Sequence, residues 1–247
     1  MSPLPMALVM VQGLWVRQRT EVLPPADGPT TGLVGQIAEV KPLRLAVLGE
    51  STAAGCGAAN HGEGFTGALA ELLSKQTGRP VAWQVVGEHG ATAKRIRYRL
   101  LPQLEGNFDL AIVLAGANDV LTRRAPHAWS QDLAAILKGL ADRAERIAVV
   151  GTPPFAAFPS LPKALRTYLA DRARAIDDLT QGLCESSPHV DFVGSDHSLV
   201  DHGFFARDGF HPSVHGYQRW AELVAETLSR QRGVAGDPTA WITPPKN

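Results

Sequence analysis

Apolar residues in this chain follow two alternating patterns. Short, nearly continuous runs occupy residues 43–48, 83–86, 110–114, 147–150 and 190–193. Between them lie longer stretches in which apolar side chains recur every three or four positions. Phe65, Ala68, Leu69, Leu72 and Leu73 form one such set. Leu133, Ile136, Leu137, Leu140 and Ala144 form another, and Tyr217, Trp220, Ala221, Val224 and Leu228 a third. Residues 92–104 read as a basic-faced helix and residues 162–184 as a long one. Continuous runs suit strands covered on both faces, and the three-to-four spacing suits helices with one buried face. Five strands alternating with helices predict an α/β fold, a three-layer α/β/α sandwich around a five-stranded parallel sheet.

The pattern also divides the chain. Residues 1–41 combine an apolar segment, broken by Pro5, Gln12 and Gly13, with a Pro-, Gly- and Thr-rich linker over residues 21–36. Residues 42–232 form the compact domain, and residues 233–247 an irregular C-terminal tail. The apolar segment falls short of the ~20 residues a spanning helix needs. Its positive charges, Arg17 and Arg19, follow the apolar run, the reverse of a secretory signal. The readings are a segment packed on the domain, an interfacial anchor making a weak, salt-sensitive contact with a membrane surface, or a flap near an acyl-binding groove.

The 24 basic and 24 acidic residues balance, and no basic stripe interleaved with aromatics marks a nucleic-acid partner. Two cysteines, Cys56 and Cys184, are too few for a disulfide framework and fit a reducing, cytoplasmic compartment. Oligomeric state is left open.

In open parallel sheets, ligands bind beyond the carboxyl ends of the strands. Three polar segments fall there: Gly49-Glu50-Ser51-Thr52, Gly90-Ala91-Thr92 and Gly116-Ala117-Asn118-Asp119. A fourth, Asp208-Gly209-Phe210-His211-Pro212, precedes the last helix. A histidine acting as general base needs a partner that fixes its tautomer, and a carboxylate on the same tight turn supplies one. Ser51 is then the nucleophile, His211 its base and Asp208 the group that orients His211. Acyl transfer also needs donors for a developing oxyanion. The Ser51 backbone N–H, ahead of the first helix, the Gly90 N–H and the Asn118 side-chain amide are the candidates.

Each piece has a structural alternative: Ser51 as a helix cap, Asn118-Asp119 and Asp208 as turn residues, His211 as a satisfied histidine. Their common placement at strand ends favours one site. Two other chemistries fit less well. A dinucleotide fingerprint around Gly55-Cys56-Gly57 finds Asn60 where its third glycine belongs. A zinc site on His211 and His215 meets Pro212 where the helical motif carries a glutamate. A non-catalytic ligand-binding α/β protein is the remaining rival.

The four blocks resemble those of the SGNH hydrolase superfamily, the GDSL-type esterases and lipases, over residues 42–232. The first departs from the usual G-D-S by carrying Glu50. The resemblance implies a flavodoxin-like sheet and a serine hydrolase that uses no metal and no cofactor. Its substrates would be carboxylic esters, small-molecule or lipid, with acyl transfer to an alcohol or carbohydrate deacetylation as alternatives on the same site. The stretch Gly49-Glu50-Ser51-Thr52-Ala53-Ala54-Gly55-Cys56-Gly57 is similar to a bacterial subgroup of lysophospholipase-like and N-acyl amino acid esterases.

Overall fold

The computed structural model describes residues 3–35, 39–195 and 197–230 of the 247-residue chain. The sheet has six strands, β1 (Thr31–Val34), β2 (Leu43–Gly49), β3 (Val81–Gly87), β4 (Phe108–Leu114), β5 (Ala144–Val150) and β6 (Val190–Val193), in the order β1-β3-β2-β4-β5-β6. Five pair in parallel, as the continuous apolar runs predict. The sixth, β1, pairs antiparallel with β3, so the sheet is mixed and not the purely parallel, five-stranded one expected. It was hidden because the strand is only four residues long and has glycine, Gly32, where an apolar side chain would complete a run. A Cβ there would lie 2.3 Å from the indole of Trp83, which covers that position. The sheet thus begins ahead of the boundary expected at residue 42.

Helices cover both faces. One apolar layer joins α5 (Pro126–Ala141) and α6 (Lys163–Glu185) to the sheet through Ile96, Trp129, Leu133, Ile136, Leu165 and Leu169. The other joins α2 (Phe65–Thr77) and α7 (Val214–Arg230) through Phe65, Leu69, Tyr217, Trp220 and Val224. The expected 92–104 helix is less regular: a single α-turn, α3 (Ala93–Arg95), widens into a π-helical turn over Ile96–Leu100 and ends in a 3-10 turn over Leu101–Gln103. Pro102, in that last turn, has no N–H to continue an α-helix.

The N-terminal apolar segment forms α1 (Pro3–Arg19), which packs on α6. Val9 is buried in the same cluster as Phe155, Phe158 and Leu161, Val16 packs against that cluster, and the Leu165 N–H donates to Gln12 Oε1 at 2.9 Å. The linker is tied down as well: Ala26 N–H donates to the Ala54 carbonyl, and Leu23 is buried against Ala54 and Cys56. The tail expected at 233–247 lies outside the described residues.

Register decides what the sheet presents. Gly49 pairs with Gly87 and with Leu114, Leu114 with Val150, and Val150 with Val193. The carboxyl ends of all five parallel strands therefore finish side by side. The segments beginning at residues 50, 88 and 115 emerge at one edge.

Candidate active site

Ser51 sits in a turn that follows β2 directly. Ala54 N–H donates to the Glu50 carbonyl and Cys56 N–H to the Ser51 carbonyl, closing the chain back on itself. The first helix after it, α2, starts only at Phe65, so Ser51 neither caps a helix nor lies at a helix N-terminus. Any donor quality of its N–H comes from the local turn. No backbone acceptor is found for that N–H among the described residues.

His211 reaches Ser51 across 160 residues of sequence, with Nε2 3.0 Å from Oγ. The Asp208–His211 turn is held at both ends: Gly209 N–H donates to the Ala206 carbonyl and Ala206 N–H to the His211 carbonyl. Inside it, Asp208 Oδ1 accepts the backbone N–H of Phe210 at 2.9 Å and of His211 at 3.0 Å. Oδ2 is left for His211 Nδ1, 2.6 Å away. The Asp208 side chain is wholly buried. Burial pushes its carboxyl up, but the hydrogen bond from His211, the two backbone N–H donors and the imidazolium charge outweigh it, holding the group below its ordinary value.

The turn is seated against the first block. Gly57, with φ of +103°, packs so closely that a Cβ would lie 2.2 Å from the Pro212 carbonyl oxygen. The Tyr217 hydroxyl donates to the Cys56 carbonyl at 2.7 Å. These two contacts bind the start of α7, and so His211, to the loop that carries Ser51.

Glu50 stands where the family pattern has aspartate, and its longer side chain reaches the third block. Its buried carboxylate accepts the Ala117 N–H at 3.1 Å, the Asn118 N–H at 3.0 Å and the Asn118 side-chain amide at 2.7 Å. The same amide donates to the Ala91 carbonyl at 3.2 Å. Asn118 Nδ2 therefore bridges the neighbour of Ser51 and the neighbour of Gly90. Gly90 has φ of +77°, a conformation L side chains rarely adopt, while its Cβ position faces open space. Asp119, like Asn118 on the short helix α4 (Ala117–Leu121), completes the frame, its Oδ2 accepting the Ala93 N–H at 2.8 Å and fixing the start of α3.

Burial drives the Glu50 carboxyl up to about 7, against its three donors and with the Asp119 charge adding to the rise. A carboxyl raised on folding binds a proton that the unfolded chain lacks between its ordinary value, 4.5, and about 7. Its contribution to stability is full below that window and is lost as pH rises through it. The loss is (7 − 4.5) × 1.36, or about 3 kcal/mol. Asp119 and Asp177, each raised to about 6 by burial, act in the same direction. Urea unfolding of the wild type and Glu50→Gln across pH 5–8 isolates Glu50, because the other groups are common to both proteins. The difference between them should change by about 3 kcal/mol in favour of the variant as pH rises. Parallel curves would mean that Glu50 keeps one charge state throughout.

A cleft opens beside Ser51 and His211, walled by Pro153, Pro154 and Phe158 from the segment after β5 and by Phe210 from the histidine turn. Phe155 and Leu161, from the same segment, are buried in the core and do not line the cleft. Thr52 Oγ1 and Trp220 Nε1, on residues that also line it, are buried without a hydrogen-bond partner among the described residues. His89, which sequence reasoning passed over, lies with its ring 5.8 Å from that of His211. Burial and the His211 charge lower its pKa, opposed by Asp208. Its position immediately before Gly90 was the available signal. His215, paired with His211 in the zinc reading, faces Asp201 at 2.9 Å.

The model of the GDSL-like lipase/acylhydrolase family matches residues 47–219. A GDSL-like esterase of Mycobacterium tuberculosis is 25% identical over 194 residues, covering 74% of this chain. The chain spans about 60% of that esterase's length. Among solved structures, TesA superposes with a TM-score of 0.62 at 22% identity, covering 75% of this chain and 97% of its own. A family 3 carbohydrate esterase of Clostridium thermocellum gives 0.58 at 20% identity, covering 79% and 100%. These two share the fold.

Proposed function

Because the chain belongs to the GDSL-like lipase/acylhydrolase family, we propose that it hydrolyses carboxylic esters with Ser51 as nucleophile, His211 as base and Asp208 as its orienting carboxylate. The observation that carries this reading is the unbroken line from Ser51 Oγ through His211 to Asp208, with contacts of 3.0 and 2.6 Å. Asp208 accepts a hydrogen bond from Nδ1–H and so holds the proton on that nitrogen, which leaves the Nε2 lone pair facing the hydroxyl.

Ser51 Oγ attacks the acyl carbon while its proton passes to His211 Nε2. The carbonyl oxygen becomes an oxyanion. Collapse of the tetrahedral intermediate breaks the bond to the alcohol, which leaves with the proton from Nε2. Water then repeats the sequence on the acyl-serine and releases the acid. The Ser51 N–H, the Gly90 N–H and the Asn118 amide serve the oxyanion. Glu50 fixes one hydrogen of that amide, and the other exchanges the long Ala91 contact for the oxyanion. Apolar parts of the ester rest on Pro153, Phe158 and Phe210.

Asn118→Ala tests the oxyanion assignment. Loss of one donor costs about 3 kcal/mol, a fall of roughly 100-fold that should appear in kcat. A change confined to KM would assign Asn118 to ground-state binding.

A further inference from the structure

Helix α1 is apolar on both sides. One side, carrying Val9, Gln12 and Val16, is spent on α6 and the core beneath it. The opposite side carries Leu8, Met10, Val11, Leu14 and Trp15, which are 45–64% exposed. The spacing 8, 11, 15 and 10, 14 places all five on one outward face. They make up half of the ten large apolar residues exposed among the described residues, so the patch is concentrated on this helix.

Charge at the helix end indicates what covers it. Arg17 and Arg19 are exposed, and neither has a carboxylate partner among the described residues. The Arg19 guanidinium lies 4.6 Å from the Trp15 ring centroid, joining the cation to the apolar face. Residues 1–20 hold no acid. The first one, Glu21, is engaged by Arg207 through contacts of 2.8–3.1 Å, so it does not offset the arginines. A two-fold contact between copies, whichever way the paired helices run, would give these arginines no acid on the facing helix, because residues 1–20 hold none. An anionic bilayer surface satisfies both features, taking the apolar side chains below the headgroups and the arginines among them. No helix among the described residues is long and apolar enough to cross a membrane.

We propose that the outward face of α1 docks the protein on an anionic membrane surface. The helix rests on Leu165, in the first turn of α6, immediately after the segment whose Pro153, Pro154 and Phe158 wall the cleft. Docking therefore sets α1 between the lipid surface and the segment that lines the site. This docking does not depend on the hydrolytic assignment.

Co-sedimentation of the full chain with vesicles tests it. Binding to equimolar phosphatidylglycerol and phosphatidylcholine should exceed binding to phosphatidylcholine alone by roughly 25-fold, about fivefold per arginine. Most of that excess should vanish in about 0.5 M salt. The double variant V11D/L14D changes two exposed side chains and should bind at least about tenfold more weakly. Its turnover of a water-soluble short-chain ester should match the wild type, so a failure of docking is separable from a failure of the catalytic reading. Wild-type vesicle binding by V11D/L14D would overturn the proposal. So would absence of vesicle binding together with a wild-type dimer that V11D/L14D dissociates, which would make the face a self-association surface. Binding that emerges only when residues 231–247 are removed would mean that the chain's own C-terminal segment occupies the face, and would overturn it too.

Discussion

Ser51→Ala should abolish ester hydrolysis, with kcat falling on the order of 10^5-fold or more. The change removes one hydroxyl whose protein contact is the 3.0 Å approach to His211 Nε2, in a turn held by backbone hydrogen bonds. Fold and stability should therefore be preserved, and near-wild-type unfolding would show that the loss is chemical. The oxyanion donors and the cleft would remain, so weak binding of a substrate analogue should persist. Turnover within tenfold of the wild type would remove Ser51 from the reaction.

Asp208→Asn has the next largest expected effect, a loss on the order of 10^4-fold in kcat by analogy with the same change in other serine hydrolases. Oδ1 is already committed to the Phe210 and His211 N–H groups, so the new amide nitrogen must face His211 Nδ1. An N–H at that position forces the imidazole proton onto Nε2, which then offers Ser51 a donor in place of a lone pair. Asp208→Ala would instead empty a buried site and loosen the turn, so the asparagine variant separates tautomer control from turn stability. The check is kcat with Tm measured alongside. An unchanged kcat would mean that His211 takes no proton from Ser51.

The sheet was legible because its central strands β2, β4 and β5 are buried on both faces, which leaves runs such as Ala111, Ile112 and Val113 without a polar interruption. Strand β1 was not, because a four-residue edge strand with glycine facing Trp83 has no such run. The Asp208–His211 pair could be read because both residues share one turn. Ser51 was found at its strand end, but its surroundings were misjudged: a turn, and not a helix, follows it. The work of Glu50 was out of reach of local pattern, since its partners Ala117 and Asn118 lie 67 and 68 residues away and meet it only through the pairing of Gly49 with Leu114. The same limit applies to the cleft. Phe155 and Phe158 are equally apolar in sequence and both are buried in the same core cluster, yet only Phe158 also lines the cleft.

Labelling with a serine-directed phosphonate, read by peptide mass spectrometry, tests the central claim most directly. The reagent phosphonylates a hydroxyl only when an adjacent base has activated it. One adduct per chain should form, on the peptide containing Ser51, and labelling should be lost in Ser51→Ala and strongly slowed in Asp208→Asn. An adduct on another residue, or full labelling of the Ser51→Ala protein, would contradict Ser51 as the nucleophile.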